Sequence, residues 1–382
     1  MDLTHGKRLP RRAAGYTAQL KVKRYDLKLC KKNVTVLHGQ TVTKEQGSDT
    51  LTGKKALTER ENFFIAYNHK KPAWVPNFYE AYAPMGASVL NNQGDYMKGG
   101  KDMFGAKWIC TEDTGWQAIP DPYEHVLEDI TEWKKYIEFP DLDAMDWEGA
   151  AARDLARVDR NEKVVACFGM EGNFNRLQSL MGTCEALIAM LEEPEAVYEF
   201  FEAHTKFKMK TIEKIAYYYK PDIYVNGDDV CSGDGLFFSK AMYDDLIKPF
   251  EMMLGKTAVN CGLILEHHVC GNAEAIIPDI VETGATVWQT AQIMNDLNKI
   301  KADYGDRLLI HGGWDSTGPH NFEGASEESV RQATRKAIDD YGKDGNFALF
   351  PIVMGDPAKP DIARRRFWVC DECHKYSEAM YR

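Results

Sequence analysis

The segment Glu266-His267-His268-Val269-Cys270-Gly271-Asn272 places a histidine and a cysteine two residues apart, at the end of the apolar run from Gly262 to Leu265. In an extended strand the side chains at i and i+2 point to the same face, so His268 and Cys270 can grip one borderline ion, zinc foremost. Two ligands make half a site. The plainer reading of this segment alone is a packed cysteine beside a hydrogen-bonded histidine. What the rest of the chain brings to the same place decides between them.

The elements that would position this pair follow a strand, helix, strand, helix rhythm from residue 55 onward. Leu57-Thr58-Glu59-Arg60-Glu61 opens a helix with a Thr-x-x-Glu capping box, and Trp74 to Phe78 then reads as a first strand. Further strands are expected at Lys107 to Cys110, Val164 to Met170, Asp222 to Val225, Leu263 to Val269, Thr286 to Gln289, Leu308 to His311 and Phe347 to Val353. Between them lie amphipathic stretches such as Val330, Ala333, Thr334, Ala337, Ile338 and Tyr341, closed by Gly342. Eight such alternations predict an α/β fold, a (β/α)8 TIM barrel, with an N-terminal extension over residues 1–54 and the barrel over 55–382.

Such barrels carry their chemistry at the C-terminal ends of the strands, and polar residues gather there. The expected rim holds Asn77 and Glu80, Glu112 and Asp113, Glu171, Asn226 with Asp228 and Asp229, His268 with Cys270, Gln289 and Gln292, His311 with Asp315, and Met354 with Asp356. Each taken singly is equally well a helix cap or a turn residue. Their joint placement at one rim is the stronger argument for a site.

With 382 residues, 44% of them hydrophobic, the chain can bury a large core. No run approaches the roughly 18 to 20 apolar residues of a membrane helix, and the start, Met1-Asp2-Leu3-Thr4-His5-Gly6-Lys7-Arg8, lacks the apolar core of a signal peptide. A cytoplasmic protein with no membrane partner is expected. Nine cysteines without framework spacing fit reduced thiols. The formal charge of −11 is uneven: residues 1–54 hold twelve Lys/Arg against four Asp/Glu, about +8, leaving about −19 for the remainder. This basic arm is expected to wrap its own body or a sister subunit of a homo-oligomer, or to dock an acidic protein, and no nucleic-acid role is expected.

From about residue 57 onward the chain resembles the uroporphyrinogen decarboxylase superfamily, and its corrinoid-dependent methyltransferase branch more than the decarboxylase itself. The resemblance rests on Leu57-Thr58-Glu59-Arg60-Glu61 followed by Lys71-Pro72-Ala73-Trp74-Val75-Pro76, on Asn226-Gly227-Asp228-Asp229 with Gly235-Leu236-Phe237-Phe238-Ser239 and Lys248-Pro249, on His268-Val269-Cys270-Gly271-Asn272, and on Gly312-Gly313-Trp314-Asp315. It implies an α/β barrel, in agreement with the rhythm above. Decarboxylases of the family open with an Arg-x-x-Gly-Arg motif for the porphyrin carboxylates, and nothing like it precedes the first strand here.

The methyltransferase branch binds zinc through a His-x-Cys pair and a later cysteine near the last strand. His268 and Cys270 match the pair, but Phe347 to Asp356 offers no cysteine. Glu171, Asp229, Cys231 or His311 would have to replace it, giving a harder, more Lewis-acidic centre than one that activates a thiol. The resemblance then implies the first methyltransferase of an O-demethylase system, passing a methyl group from a small molecule, a methoxylated aromatic, to a corrinoid carried by a partner protein. The alternatives are a second-step methyltransferase acting on tetrahydrofolate or a thiol, and a decarboxylase. In this reading His268 and Cys270 hold the metal, and Glu171, Asp229 or His311 completes its shell or protonates the leaving oxygen. Asn226, Asp228, Trp288, Gln289 and Trp314 are expected to contact substrate, within an aromatic lining that includes Tyr82 and Phe168.

No corrinoid-binding Asp-x-His-x-x-Gly motif occurs in the chain, so a corrinoid would arrive on a corrinoid protein. Cys370-Asp371-Glu372-Cys373-His374 has the spacing of a c-type haem attachment, yet it lies in an expected last helix, where a packed helix end is the default.

Overall fold

The structure, a computed structural model, describes residues 57–93 and 99–382. The basic arm expected over residues 1–54 lies outside the described residues. Seven parallel strands form one sheet in chain order: β1 (Tyr82–Met85), β2 (Val164–Gly169), β3 (Ile223–Gly227), β4 (Ile264–His268), β5 (Val287–Gln289), β6 (Leu309–Gly312) and β7 (Phe347–Leu349). Parallel strands paired in chain order with helices between them are the winding of an α/β barrel. The two edges of the curled sheet meet, since Leu349 N donates to Pro76 O at 2.8 Å and Asn77 bridges Leu349 in parallel. The expected α/β barrel is therefore present.

Two strand expectations are corrected. Lys107–Ile109 is the middle strand of a separate three-stranded antiparallel sheet, between Gly100–Lys101 and Ile119–Pro120. Only Trp108 of its three residues is buried, the one-sided pattern of a sheet facing water, whereas every residue of β3 is buried. The run Trp74 to Phe78 supplies only the closing bridge, because the Asn77 side chain accepts from Glu80 N and caps the one-turn helix Phe78–Ala81. Pairing resumes at Tyr82.

Alternation along the strands divides the core in two. Tyr82, Val164, Ala166, Ile223, Val225, Val287, Leu309 and Ala348 pack together inside the barrel. Cys167, Tyr224, Leu265, Trp288, Ile310 and Phe347 join the larger core between sheet and helices. The foot of the barrel is stopped by α1 (Glu59–Tyr67), which begins at the expected capping box: Thr58 Oγ1 accepts from Glu61 N at 3.1 Å, and Glu61 Oε2 accepts from Thr58 N at 2.9 Å. Phe63 and Ala66 belong to the inner core, with Phe64 and Tyr67 packed against it. Arg60 Nη2 donates to Asp222 Oδ1 at 2.6 Å, at the foot of β3, and the Tyr67 hydroxyl meets Thr286 Oγ1 at 3.1 Å, at the foot of β5.

Around the sheet lie α2 (Asn173–Met181), α3 (Pro194–Tyr218), α4 (Lys248–Asn260) and the last helix, Pro360–Tyr381. On that last helix Cys370 Sγ reaches Asn77 Oδ1 at 3.6 Å and Cys373 Sγ reaches Val75 O at 3.4 Å, so both thiols seat the helix against the barrel seam. Among the described residues no helix is long and apolar enough to cross a membrane.

Candidate functional site

Along β4 the side chains of Ile264, Glu266 and His268 fall on the inner face, while Leu265 and His267 turn to the helices. His268 ends the strand, and its Nε2 lies 3.7 Å from Cys270 Sγ. Asp229, two residues beyond the end of β3, brings Oδ1 to 3.9 Å from the same Nε2 and accepts from Cys270 N at 2.7 Å. The ligand atoms of Asp229, His268 and Cys270 all lie within 4.8 Å of one another. A tetrahedral ion with bonds of about 2.0–2.3 Å holds its donors about 3.3–3.7 Å apart, so a small contraction around an ion closes the set. The Asp229 side chain is 36% exposed, which leaves an open side for a fourth ligand. Three protein ligands and one open position are the pattern of reactive rather than purely structural centres. Without an ion, burial holds the Cys270 thiol well above its ordinary value, and the Asp229 charge pushes it further in the same direction.

The backbone around the three is fixed by short-range contacts. The Asp228 carboxylate accepts from Phe174 N at 3.1 Å and Asn175 N at 2.9 Å, capping α2, and Asn175 Oδ1 accepts from Asp229 N at 2.8 Å. Asp228 thus points away from the cluster so that Asp229 can point into it. Gly271, at φ +91°, lies so close to the neighbouring hairpin that a Cβ would sit 2.4 Å from Ser232 O, so only glycine fits. Asn272 N donates to that same oxygen at 2.7 Å, which locks the segment after Cys270.

Beneath the cluster the lumen holds a buried polar chain. Gln289 Oε1 is 2.6 Å from His268 Nδ1, and Gln289 Nε2 donates to Glu266 Oε1 at 2.9 Å. The same oxygen lies 2.6 Å from His311 Nδ1, and the Tyr82 hydroxyl donates to Glu266 Oε2 at 3.0 Å. His311 Nε2 has no protein partner. Phe78, Phe168 and Phe350 surround this chain, with Phe78 and Phe350 ring centres 4.7 Å apart and His311 5.2 Å from Phe350.

The residues expected at the site divide accordingly. His268, Cys270 and Asp229 converge. His311 reaches Glu266 rather than the ligand cluster. Glu171, at φ +63° just beyond β2, is buried with Oε1 accepting from Gln93 Nε2 at 2.7 Å and Oε2 without a partner among the described residues, and burial raises its carboxyl above the usual range. Cys231 lies in the hairpin of Cys231–Ser232 and Gly235–Leu236, outside the cluster, with its thiol pushed up to about 12 by burial.

Of the five expected substrate contacts only Gln289 faces the lumen. Asn226 turns outward and donates to Glu251 Oε2 at 2.6 Å, and Asp228 is spent on the helix cap. Trp288 belongs to the outer core, as does Trp314, whose Nε1 donates to Asn321 Oδ1 at 3.3 Å. For Asn226 and Trp288 the cause is the two-residue strand period, which assigns neighbours to opposite faces, whereas Asp228 and Trp314 lie beyond their strand ends. Tyr82, expected in the aromatic lining, does reach the lumen, where it donates to Glu266, but Glu266 was not foreseen. A charged residue directly after an apolar run, two before His268 and therefore on its face, was the available signal.

Outside the barrel, Glu251 on α4 lies with Asn226 and His267 in a second buried polar group. Burial pushes the Glu251 carboxyl up to about 8, the Asp228 charge adds to the rise, and Lys208 opposes it. A carboxyl whose folded pKa is raised contributes stability fully below its unfolded value and loses it as pH rises through the folded one. Glu251→Gln is therefore expected to gain melting temperature relative to wild type as pH rises from about 5 to about 8. Parallel thermal melts across that window check it, and a difference independent of pH would show that the group stays ionised.

The chain matches the family model described as uroporphyrinogen decarboxylase (URO-D) over residues 101–349. Among solved structures, a methyltransferase from Methanosarcina mazei superposes with a TM-score of 0.60 at 13% identity, covering 84% of this chain and 99% of that one. The likeness is one of fold. D-psicose 3-epimerase with D-tagatose from Clostridium cellulolyticum H10 superposes far more loosely, with a TM-score of 0.34 at 11% identity over 61% of this chain and 81% of that one. No curated protein matches the chain.

Proposed function

Since this chain belongs to the uroporphyrinogen decarboxylase family, we propose that it is a corrinoid-dependent methyltransferase of that family's methyltransferase branch, taking a methyl group from a methoxylated aromatic. The observation that carries the reading is the convergence of Asp229, His268 and Cys270 at the barrel mouth. Its donor set of one imidazole, one thiolate and one carboxylate suits zinc. The fold shared with the Methanosarcina mazei methyltransferase supports it further.

Zinc held by the three residues would supply Lewis acidity to the ether oxygen of the substrate. Thiolate and carboxylate together balance its double charge, and a single thiolate leaves it harder than a centre built to activate a thiol. The Phe78, Phe168 and Phe350 rings cluster beside the polar chain beneath the mouth and offer apolar faces to a flat ring. In the transfer the methyl–oxygen bond breaks with its electron pair staying on oxygen, the methyl passes to the cobalt(I) of a corrinoid protein, which supplies the new bond's electron pair, and the oxygen takes a proton. Glu171, whose carboxyl burial raises above the usual range, is the acid proposed to give that proton.

The test is to mix zinc-loaded protein, a methoxylated benzoate and cobalt(I) cobalamin and follow the conversion of cobalt(I) to methylcobalt(III) by absorbance. Protein-dependent conversion with release of the phenol is expected. No conversion in the presence of the ether, together with methyl transfer from methylcobalamin to tetrahydrofolate or a thiol, would overturn this assignment in favour of the second-step reaction.

A further inference from the structure

We propose that Glu266 and Gln289 are positioning residues which fix the tautomer of His268, so that its Nε2 lone pair faces Asp229 and Cys270 before any ion arrives. Glu266 is fully buried, and its carboxylate sits against three side chains: Gln289 Nε2 at 2.9 Å, the Tyr82 hydroxyl at 3.0 Å and His311 Nδ1 at 2.6 Å. The Glu266 carboxyl accepts from the Tyr82 hydroxyl and from Gln289 Nε2, so the end of Gln289 that faces it is the amide nitrogen. The other end is then the carbonyl, 2.6 Å from His268 Nδ1. A carbonyl only accepts, so the proton of the neutral ring sits on Nδ1.

The consequence falls on Nε2, the nitrogen 3.7 Å from Cys270 Sγ and 3.9 Å from Asp229 Oδ1. Turned the other way, the Gln289 amide would set its oxygen against the Glu266 carboxylate in a buried site and would offer Nδ1 a donor, selecting the other tautomer. An imidazole without this chain would populate both tautomers and lose part of its population to the form that cannot bind an ion. The interposed amide also keeps the Glu266 charge one side chain away from the imidazole. His268 is thus oriented by a carboxylate through an intervening side chain rather than by direct contact.

The tautomer claim stands on the hydrogen bonds alone, and its effect on affinity rests on the metal reading given above. The experiment therefore has two readouts. Long-range 15N–1H correlation spectra of metal-free protein near about pH 8, with His268→Ala used to assign the signals, report which ring nitrogen carries the proton. Zinc affinity comes from competition with a chromogenic chelator.

Wild type is expected to show His268 wholly as the Nδ1–H form, while Glu266→Gln and Gln289→Met show mixed tautomers and bind zinc about 10- to 100-fold more weakly. Tyr82→Phe, which removes a donor to Glu266 but leaves the Gln289 bridge, keeps the wild-type tautomer and serves as the control for general loosening of the lumen. An Nε2–H ring in wild type, or an unchanged His268 in both Glu266→Gln and Gln289→Met, would overturn the proposal. Should wild type bind no zinc, the metal reading falls while the spectra still decide the tautomer.

Discussion

Cys270→Ala is expected to keep the barrel intact, to hold no stoichiometric zinc, and to transfer methyl groups at least about 100-fold more slowly than wild type. The thiol is one of three converging donors, and besides its approaches to His268 and Asp229 within that set it takes a weak 3.8 Å contact from Thr290. Its loss therefore removes a ligand whose contacts lie mostly within the cluster itself. His268→Ala should lose zinc equally but melt lower, because it also strands Gln289 Oε1 in a buried site. Elemental analysis of protein purified without chelators, beside methylcobalt(III) formation, measures both. Asp229→Cys gives the opposite contrast: a second thiolate should bind zinc more tightly while slowing ether cleavage, since the ion becomes softer. Full zinc occupancy in Cys270→Ala and His268→Ala would remove the centre from this location.

The largest stability effect is expected at Arg176→Ala, which should cost about 3–5 kcal/mol. Arg176 and Asp102 form an ion pair with both side chains wholly inaccessible. Asp102 also accepts from Phe104 N and Ala106 N at 2.9 Å and from Trp108 Nε1 at 3.0 Å, and the Arg176 guanidinium lies 4.5 Å from the Phe104 ring centre. This group joins the antiparallel sheet to α2, the helix capped by Asp228. Alanine leaves the Asp102 charge buried without its counterion, so adding Asp102→Asn should restore part of the loss. Urea midpoints at unchanged slope measure the effect. A shift below about 1 kcal/mol would mean that water reaches Asp102 once the arginine is gone.

His268 and Cys270 were legible because i, i+2 spacing at the end of an apolar run states a shared face without any tertiary knowledge. Asp229 was legible only as one of four alternatives, since its convergence depends on Asp228 capping α2, a contact between segments more than 50 residues apart. The placements of Asn226 and Trp288 share one physical source. Gln289 and Trp288 are neighbours, as are Asn226 and Gly227, and in a strand buried on both faces hydrophobicity does not say which neighbour faces the lumen. Lys107–Ile109 misled for a related reason, because a three-residue strand carries too little pattern to separate a barrel strand from an antiparallel one.

The helical stopper under the barrel, with Phe63 and Ala66 seated in the inner core and Arg60 bolted to Asp222, closes the foot of the barrel, so that among the described residues the mouth is the end left for a substrate. Whatever enters must leave by the way it came. If the methyl acceptor covers that doorway, turnover becomes a queue: the aromatic enters before the acceptor docks, and the demethylated product waits until it lifts. Excess acceptor should then slow the reaction by shutting the door on an empty room, a traffic law imposed at the end of the barrel farthest from the chemistry.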